Sequence, residues 1–124
     1  LGLGTINVDC AECTGYRLFV KEGIKTEKIK VEFADQHGWA DYVFEKEYEL
    51  MDLKKLEAFV NENKHLPEVP TAKEVVDNGL ELKEFNALLL KKIEELTLYV
   101  IKLDKDLEES NAKIKNLENN ASKQ

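Results

Sequence analysis

The chain has 124 residues and a formal net charge of −7, with 43% hydrophobic and 35% charged residues. This composition is too apolar for a disordered chain and too charged for a membrane protein, and its apolar runs are too short to span a bilayer. The negative charge argues against nucleic acid as a partner, because nucleic-acid binding relies on Lys and Arg side chains that neutralise phosphates. We therefore expect neither membrane insertion nor nucleic-acid binding.

Residues 1–34 are predicted to be β-stranded. The glycine-rich start indicates a loop or a sheet edge that comes from an upstream repeat, so we expect the chain to be the C-terminal part of a longer protein. Apolar residues then alternate with period two on either side of Glu22-Gly23, at Tyr16, Leu18 and Val20 and at Ile29, Val31 and Phe33. This pattern predicts a β-hairpin or a pair of short β-layers, which would need neighbours to be stable.

Cys10 and Cys13 form a CxxC motif within this region. Half of a zinc site, a redox pair and a disulfide are all compatible with the motif, and its oxidation state is left open. No second CxxC follows and the two histidines are distant in sequence, so a zinc ion would need ligands from other chains. We interpret the cysteines as structural or incidental, or as a disulfide between chains in an extracellular parent. No cofactor and no metal are predicted.

Residues 35–81 are predicted to be a connecting region with an aromatic anchor and two short helices. The anchor, residues 39–44, is expected to be extended. Asp52 is a predicted N-cap of the first helix. Two prolines then exclude helix over 65–70, and Thr71 with Glu74 predicts a capping box for the second helix. The Asn78-Gly79 pair is expected to end that helix in a left-handed conformation.

Residues 82–124 are predicted to be one long helix with a frayed tail, ending near Asn119. Apolar residues recur along it at heptad spacing, a pattern that one helix cannot bury alone and that predicts a coiled coil with partner chains. Asn86 occupies an a position, where a buried amide costs stability but can fix register. The predicted oligomer seam consists of Leu82, Leu89, Leu96, Leu103 and Leu117 at d, and of Asn86, Ile93, Val100, Leu107 and Ile114 at a.

Several residues outside the seam are candidate functional groups. His65 could be a base, but no serine or cysteine has an evident tie to it, so a structural role is favoured. Asp41 and the charged residues at 45–47 are interpreted as a solvated surface, because acid–base chemistry would need a pocket. Trp39 could stack on a sugar, although a tryptophan flanked by aromatic residues is usually packed. No catalytic residue is predicted, and a possible binding surface comprises Trp39, Tyr42 and His65.

Several segments in chain order resemble the C-terminal domains of bacterial fibre-like proteins, which are similar to the intramolecular chaperone domain of phage tail fibres and endosialidases. The resemblance covers roughly residues 16–105 and is carried by GWADYVF (38–44), YEL (48–50), HLP (65–67), VPTAKEV (69–75) and LKKIEELTLY (90–99). It implies an α+β fold of short β-layers, two short helices and a long C-terminal helix in a parallel, trimeric coiled coil. Residues 1–34 would then be the β-stranded end of an upstream fibre.

The resemblance also implies a function. The chain is expected to be a homotrimerisation, chaperone-like domain that caps the C-terminus of a surface or tail fibre, located outside the cell or on a virion tail. The related domains cleave themselves with a serine that precedes an aspartate, whereas this chain has Ala40-Asp41, so we expect no self-cleavage and no enzyme activity. The alternative is a receptor- or glycan-binding module at a fibre tip. The heptads by themselves do not choose between a dimer and a trimer.

Overall fold

The computed structural model describes residues 1–5, 14–34 and 38–124, so the CxxC motif lies outside the described residues. The chain divides into two compact units, Leu1–Glu32 and Phe33–Gln124. The first unit contains strands β1 (Gly2–Leu3) and β2 (Phe19–Val20). The second contains a 3₁₀ helix (Ala40–Phe44) followed by helices α1 (Leu53–Asn63), α2 (Ala72–Asn78) and α3 (Leu82–Ala121). The described chain is thus mostly helical, with two short strands.

The two strands pair in parallel, with Gly2 opposite Phe19 and Leu3 opposite Val20. The predicted hairpin is wrong, because residues 29–33 form no strand and the segment around Val20 pairs with the start of the chain instead. Two local features direct the chain away from a hairpin. Glu22 adopts a positive φ of 82° directly after the strand pair. The Thr26 hydroxyl then accepts a hydrogen bond from the Lys28 N–H, which forms a local turn in place of a ladder.

The aromatic anchor was predicted to be extended, and this prediction is wrong. Residues Ala40–Phe44 form a 3₁₀ helix that packs against α3. The reason is a spacing of three residues between Ala40 and Val43, which matches one turn of a 3₁₀ helix and brings both side chains onto one face. These two residues are 2% and 1% exposed, the lowest values among the described hydrophobic residues. The small residues therefore form the contact, while the aromatic rings lie outside it.

Helices α1 and α2 begin where the sequence predicts. Asp52 adopts an extended conformation and its carboxylate accepts a hydrogen bond from the Lys54 N–H, which caps α1. The predicted capping box of α2 is present in both directions between Thr71 and Glu74. Gly79 ends α2 with a φ of 74°, as expected, but its ψ of −169° lies outside the left-handed helical region.

Helix α3 spans 40 residues and is the dominant element of the fold. It starts at Leu82, as predicted, and continues to Ala121, two residues beyond the predicted end. No helix in the described part of the chain is both long and apolar enough to cross a lipid bilayer. The first half of α3 contains buried and half-buried side chains, whereas every residue from 101 to 121 in its second half is exposed.

Candidate functional site

The first half of α3 is covered by its own chain on one side. Between residues 83 and 99, all outward heptad positions except two are buried or half-buried. The two exceptions are Glu84 and Thr97. The covered side chains include four apolar residues outside the a and d positions, namely Phe85, Leu88, Leu90 and Leu98. The 3₁₀ helix and the segments around Tyr48 and Glu68 contact α3, and we call them the jacket of its outward face.

The a and d positions of α3 remain uncovered. All nine apolar residues of the predicted seam are exposed, from 42% at Leu89 to 69% at Leu117. Asn86 is also exposed, and its Nδ2 donates to the carbonyl of Leu82 at 2.7 Å within the same helix. The jacket thus ends at the edges of the heptad seam and leaves a face along the helix that is apolar except at Asn86 and Ser110. We call this face, made of the predicted seam residues, the a/d face.

Two tyrosine hydroxyls attach the connecting segment to α3. Tyr48 donates to Oε1 of Glu95, and Tyr99 donates to the carbonyl of Met51 at 2.5 Å. Burial, together with the acceptor Glu95 and its charge, raises the pKa of Tyr48 far above its ordinary value. Burial likewise raises the pKa of Tyr99. Both phenols therefore remain neutral donors, and they fix residues 48–51 against the c and g positions of α3.

A charged cluster holds the proline-containing loop on the same side of the helix. Lys91 donates to both carboxylate oxygens of Glu68, at 2.6 and 2.7 Å, and Lys92 bridges Glu68 and Glu95 at 2.8 and 2.9 Å. Desolvation opposes ionisation of Glu68, but the hydrogen bonds from both lysines outweigh it and lower its pKa. Glu68 adopts a positive φ of 67°. The strained backbone places this carboxylate between the two lysines.

Glu94 differs from the other carboxylates of α3. It is only 8% exposed, and its Oε2 has no hydrogen-bond partner within the described residues. Desolvation, together with the charge of Asp41 on the 3₁₀ helix, raises its pKa above the ordinary 4.5. Glu94 is thus a buried acidic side chain on which the charge of the 3₁₀ helix residue Asp41 acts.

The second half of α3 has no jacket. Every residue from 101 to 121 is exposed, and away from the a/d face the side chains are mostly charged or amidic. An ion pair between Lys113 and Glu109 at 2.5 Å lies on this surface. Ile101, at a b position and 45% exposed, is an apolar residue outside the a/d face. The apolar character of this half is therefore concentrated at the a and d positions.

The three residues of the possible binding surface, Trp39, Tyr42 and His65, each contact a different aromatic ring. Trp39 is 45% exposed and contacts the ring of Phe33 edge-on at 5.5 Å. Tyr42 lies 5.9 Å from the ring of Tyr48, with Lys91 Nζ above it. His65 is half-buried and contacts Phe59, with its Nδ1 2.9 Å from the carbonyl of Leu66. Trp39 and Tyr42 share one segment, while the ring contact of His65 is to α1.

The part of the chain that the structure describes contains no candidate metal site. No group of three or more His, Cys, Asp or Glu side chains there is placed to hold a metal ion. Ala40 is buried in the contact between the 3₁₀ helix and α3 and carries no hydroxyl. The described arrangement is one of packing, hydrogen bonds and an uncovered apolar face.

The sequence analysis missed the residues that build the jacket contacts, namely Tyr48, Glu68, Glu94, Glu95 and Tyr99. Most have no local signal, because their partners lie 23 to 48 residues away in sequence. Glu94 has a weak signal: it lies four residues after Leu90 and four before Leu98, both of which are covered. A glutamate inside an apolar stripe at helical spacing predicts burial.

Comparison of the chain with protein-family models, with curated proteins and with solved structures finds no match to any of them. The function therefore has to be inferred from the geometry of α3 and from the resemblance described above.

Proposed function

We propose that the chain is a homotrimerisation domain that assembles a fibre-like protein. One observation carries this proposal: the chain covers the outward face of α3 with its own segments and leaves the a/d face bare. A heptad seam of this width is the surface by which helices pack against each other, knob into hole. An uncovered apolar face of such length is otherwise uncommon on a monomer.

Copies of the same chain are the best occupants of the a/d face. In parallel, in-register helices each polar seam residue meets its own counterpart, so Asn86 and Ser110 would form two matched polar layers. Lys113 at a g position would also lie near Glu118 at an e position of the adjacent helix, which is an attractive pair. Both features favour a parallel, in-register assembly of identical helices over an unrelated partner.

The trimeric order, the fibre and the extracellular location are proposed from the resemblance to chaperone-like domains of tail fibres. The physical logic agrees with such a role. Chains that must pair short strands with one another face a high cost of closure and registration. A coiled coil that forms first raises the effective concentration of the strands and aligns them. The small β1–β2 pair is the kind of unit that needs this help.

In this proposal the domain remains covalently attached to the upstream fibre after assembly. The chain carries Ala40 where the self-cleaving domains that it resembles have a serine, so the hydroxyl for an acyl intermediate is missing at that position. We therefore propose a non-enzymatic role. Incubation of a longer chain that includes the upstream region should leave its length unchanged, as measured by mass spectrometry.

Light scattering over a dilution series tests the assembly proposal. The wild-type chain should have the mass of three copies. Leu103→Asp places a charge in the a/d face and should lower the mass to one copy, because an unpaired charge in a coiled-coil seam is strongly unfavourable. Ile101→Asp is the matched control: it is two residues away and similarly exposed, at 45% compared with 54%, but lies at a b position. This control should remain trimeric.

Two results would contradict the proposal. A monomeric wild-type chain at all concentrations would mean that the a/d face is not an interface between copies. Equal dissociation of Leu103→Asp and Ile101→Asp would mean that the heptad assignment is wrong. A stable dimer would retain the coiled coil but would remove the tail-fibre trimer from the proposal.

A second candidate, a receptor- or glycan-binding module, is favoured by the exposure of Trp39 and Tyr42 on one segment. Aromatic rings that present a free face can stack on sugars. In this case Trp39→Ala would abolish binding on a glycan array while the mass of the assembly stays the same. Absence of binding by the wild-type chain would leave the assembly role alone.

A further inference from the structure

The contact between the 3₁₀ helix and α3 contains a buried acidic group for which the assembly proposal has no use. Glu94 is at a b position, on the side of α3 that faces away from the a/d face. It is 8% exposed, the 3₁₀ helix packs against α3, and the charge of Asp41 on the 3₁₀ helix acts on it. Both its burial and its acidic neighbour arise within one chain.

No basic group compensates the Glu94 carboxylate within the described residues. The nearest lysines along its own helix, Lys91 and Lys92, form their ion pairs with Glu68 and Glu95. From the 3₁₀ helix, the charged residue that acts on Glu94 is Asp41, which is acidic as well. Glu94 Oε2 lacks a hydrogen-bond partner among the described residues.

An ionised carboxylate in such a position is unfavourable. Burial of Oε2 without a hydrogen bond or a counter-charge disfavours the ionised form, and this raises the pKa of the carboxyl group. The protonated form carries no charge to desolvate and is not repelled by Asp41. Docking of the 3₁₀ helix and protonation of Glu94 therefore favour each other.

We propose that Glu94 and Asp41 form an acid-sensitive latch that fastens the 3₁₀ helix to α3, closed when Glu94 is protonated and loosened when it ionises. The latch acts within the second unit, on the contact between the 3₁₀ helix (Ala40–Phe44) and α3. It is independent of the proposed trimer, since both acidic residues belong to the same chain and lie away from the a/d face.

The direction of the pH dependence follows from proton linkage. The pKa of Glu94 is higher in the docked state than in the undocked state, so the docked state binds the proton more tightly. Docking is therefore strongest below the ordinary value of 4.5 and is weakened as the pH rises through the higher pKa of the docked state.

Trp39, the single tryptophan of the chain, directly precedes the 3₁₀ helix and reports on its docking. Acrylamide quenching of its fluorescence should be measured on the full chain from about pH 4 to about pH 8. The wild-type chain should show a rise in quenching with a midpoint above 4.5. Glu94→Gln, which is neutral at every pH, should show no such transition. Asp41→Asn should retain the transition at a lower midpoint.

Glu84→Gln is the matched control, because Glu84 lies on the same helix and is exposed. It should keep the wild-type transition. Leu103→Asp should keep it too, so the latch can hold even if the trimer proposal fails. The latch is overturned if the wild-type chain shows no transition. It is also overturned if the transition persists in Glu94→Gln, which would assign it to another titratable group. It is also overturned if quenching changes only when light scattering shows dissociation.

Discussion

At the scale of single residues, hydrogen bonds between distant side chains decide how the connecting segment lies on α3. The Tyr48 hydroxyl donates a hydrogen bond to Glu95, and Glu95 also pairs with Lys92. The phenol, the carboxylate and the ammonium group therefore form one hydrogen-bond network. Removal of one group from such a network lowers the stability by more than the loss of a single hydrogen bond suggests. The reason is that the remaining half-buried polar groups are left without a partner.

Tyr48→Phe tests this network. The variant keeps the ring but removes the donor, so the free energy of unfolding should fall by about 1 kcal/mol. Tyr42→Phe, on an exposed ring beside it, should change the stability much less. Urea unfolding at one fixed protein concentration measures both variants. Equal loss in the two variants would mean that the Tyr48 hydroxyl contributes nothing specific.

Glu68→Gln tests the lysine cluster through its pH dependence. The pKa of Glu68 is lowered in the folded chain, so its ion pairs stabilise above the ordinary value of 4.5 and are lost as the pH falls through the lower value. Because Glu68 is 52% exposed, solvent screening limits this contribution to under about 1 kcal/mol. Urea midpoints should therefore fall less on acidification in Glu68→Gln than in the wild type. The exposed Glu62→Gln should behave like the wild type.

At the scale of elements, the short helices depend on their caps. Helix α2 has only 7 residues, a length at which helix formation is unfavourable without outside support. The capping box between Thr71 and Glu74 satisfies its first N–H groups and fixes where it starts. The same backbone and hydroxyl hydrogen bonds from Thr71 lower the pKa of Glu74.

Thr71→Ala should destabilise the chain by about 1 kcal/mol, the usual loss for a removed N-cap. Thr71→Ser retains the hydroxyl and should stay close to the wild type. Hydrogen exchange of the amides in α2 provides the local readout, and urea unfolding provides the global one. If serine and alanine behaved alike, the hydroxyl would not be the group that starts α2.

At the scale of the whole molecule, the second unit has a very small apolar core for its length. Ala40, Val43 and Tyr99 are the buried hydrophobic residues among those described, while α3 exposes most of its large apolar side chains. A single chain of this kind is marginally stable, because most of its apolar surface stays in water. Stability and assembly should therefore be coupled.

This coupling predicts that the melting temperature of the wild-type chain rises with protein concentration, as mass action requires when association accompanies folding. Leu103→Asp should melt at a lower temperature that does not depend on concentration, and Ile101→Asp should follow the wild type. Differential scanning calorimetry over a wide concentration range measures this. A melting temperature independent of concentration in the wild type would mean that the folded unit is a monomer.

Local sequence signals predicted the helical elements well. The Asp52 cap, the capping box of α2 and the start of α3 at Leu82 all depend on side chains within a few residues of the bonds they make. Heptad spacing likewise placed the a and d residues on one face of α3, because that grouping follows from the geometry of a single helix. These features need no information from distant parts of the chain.

The short β-strands and the aromatic segment were decided by tertiary structure. The segment around Val20 alternates as a strand should, yet its partner is the start of the chain, and alternation does not identify a partner. The residues around Tyr42 look extended from their aromatic content, but burial of Ala40 and Val43 against α3 selects a 3₁₀ helix.

The sequence by itself therefore determined the caps, the long helix and the heptad pattern along it, since each depends on short-range geometry. Only the tertiary structure decided which side of α3 is covered, and it placed Tyr48, Glu68 and Glu94 against it. Those placements depend on contacts between residues far apart in the chain, where the free energy of packing and desolvation outweighs local preference.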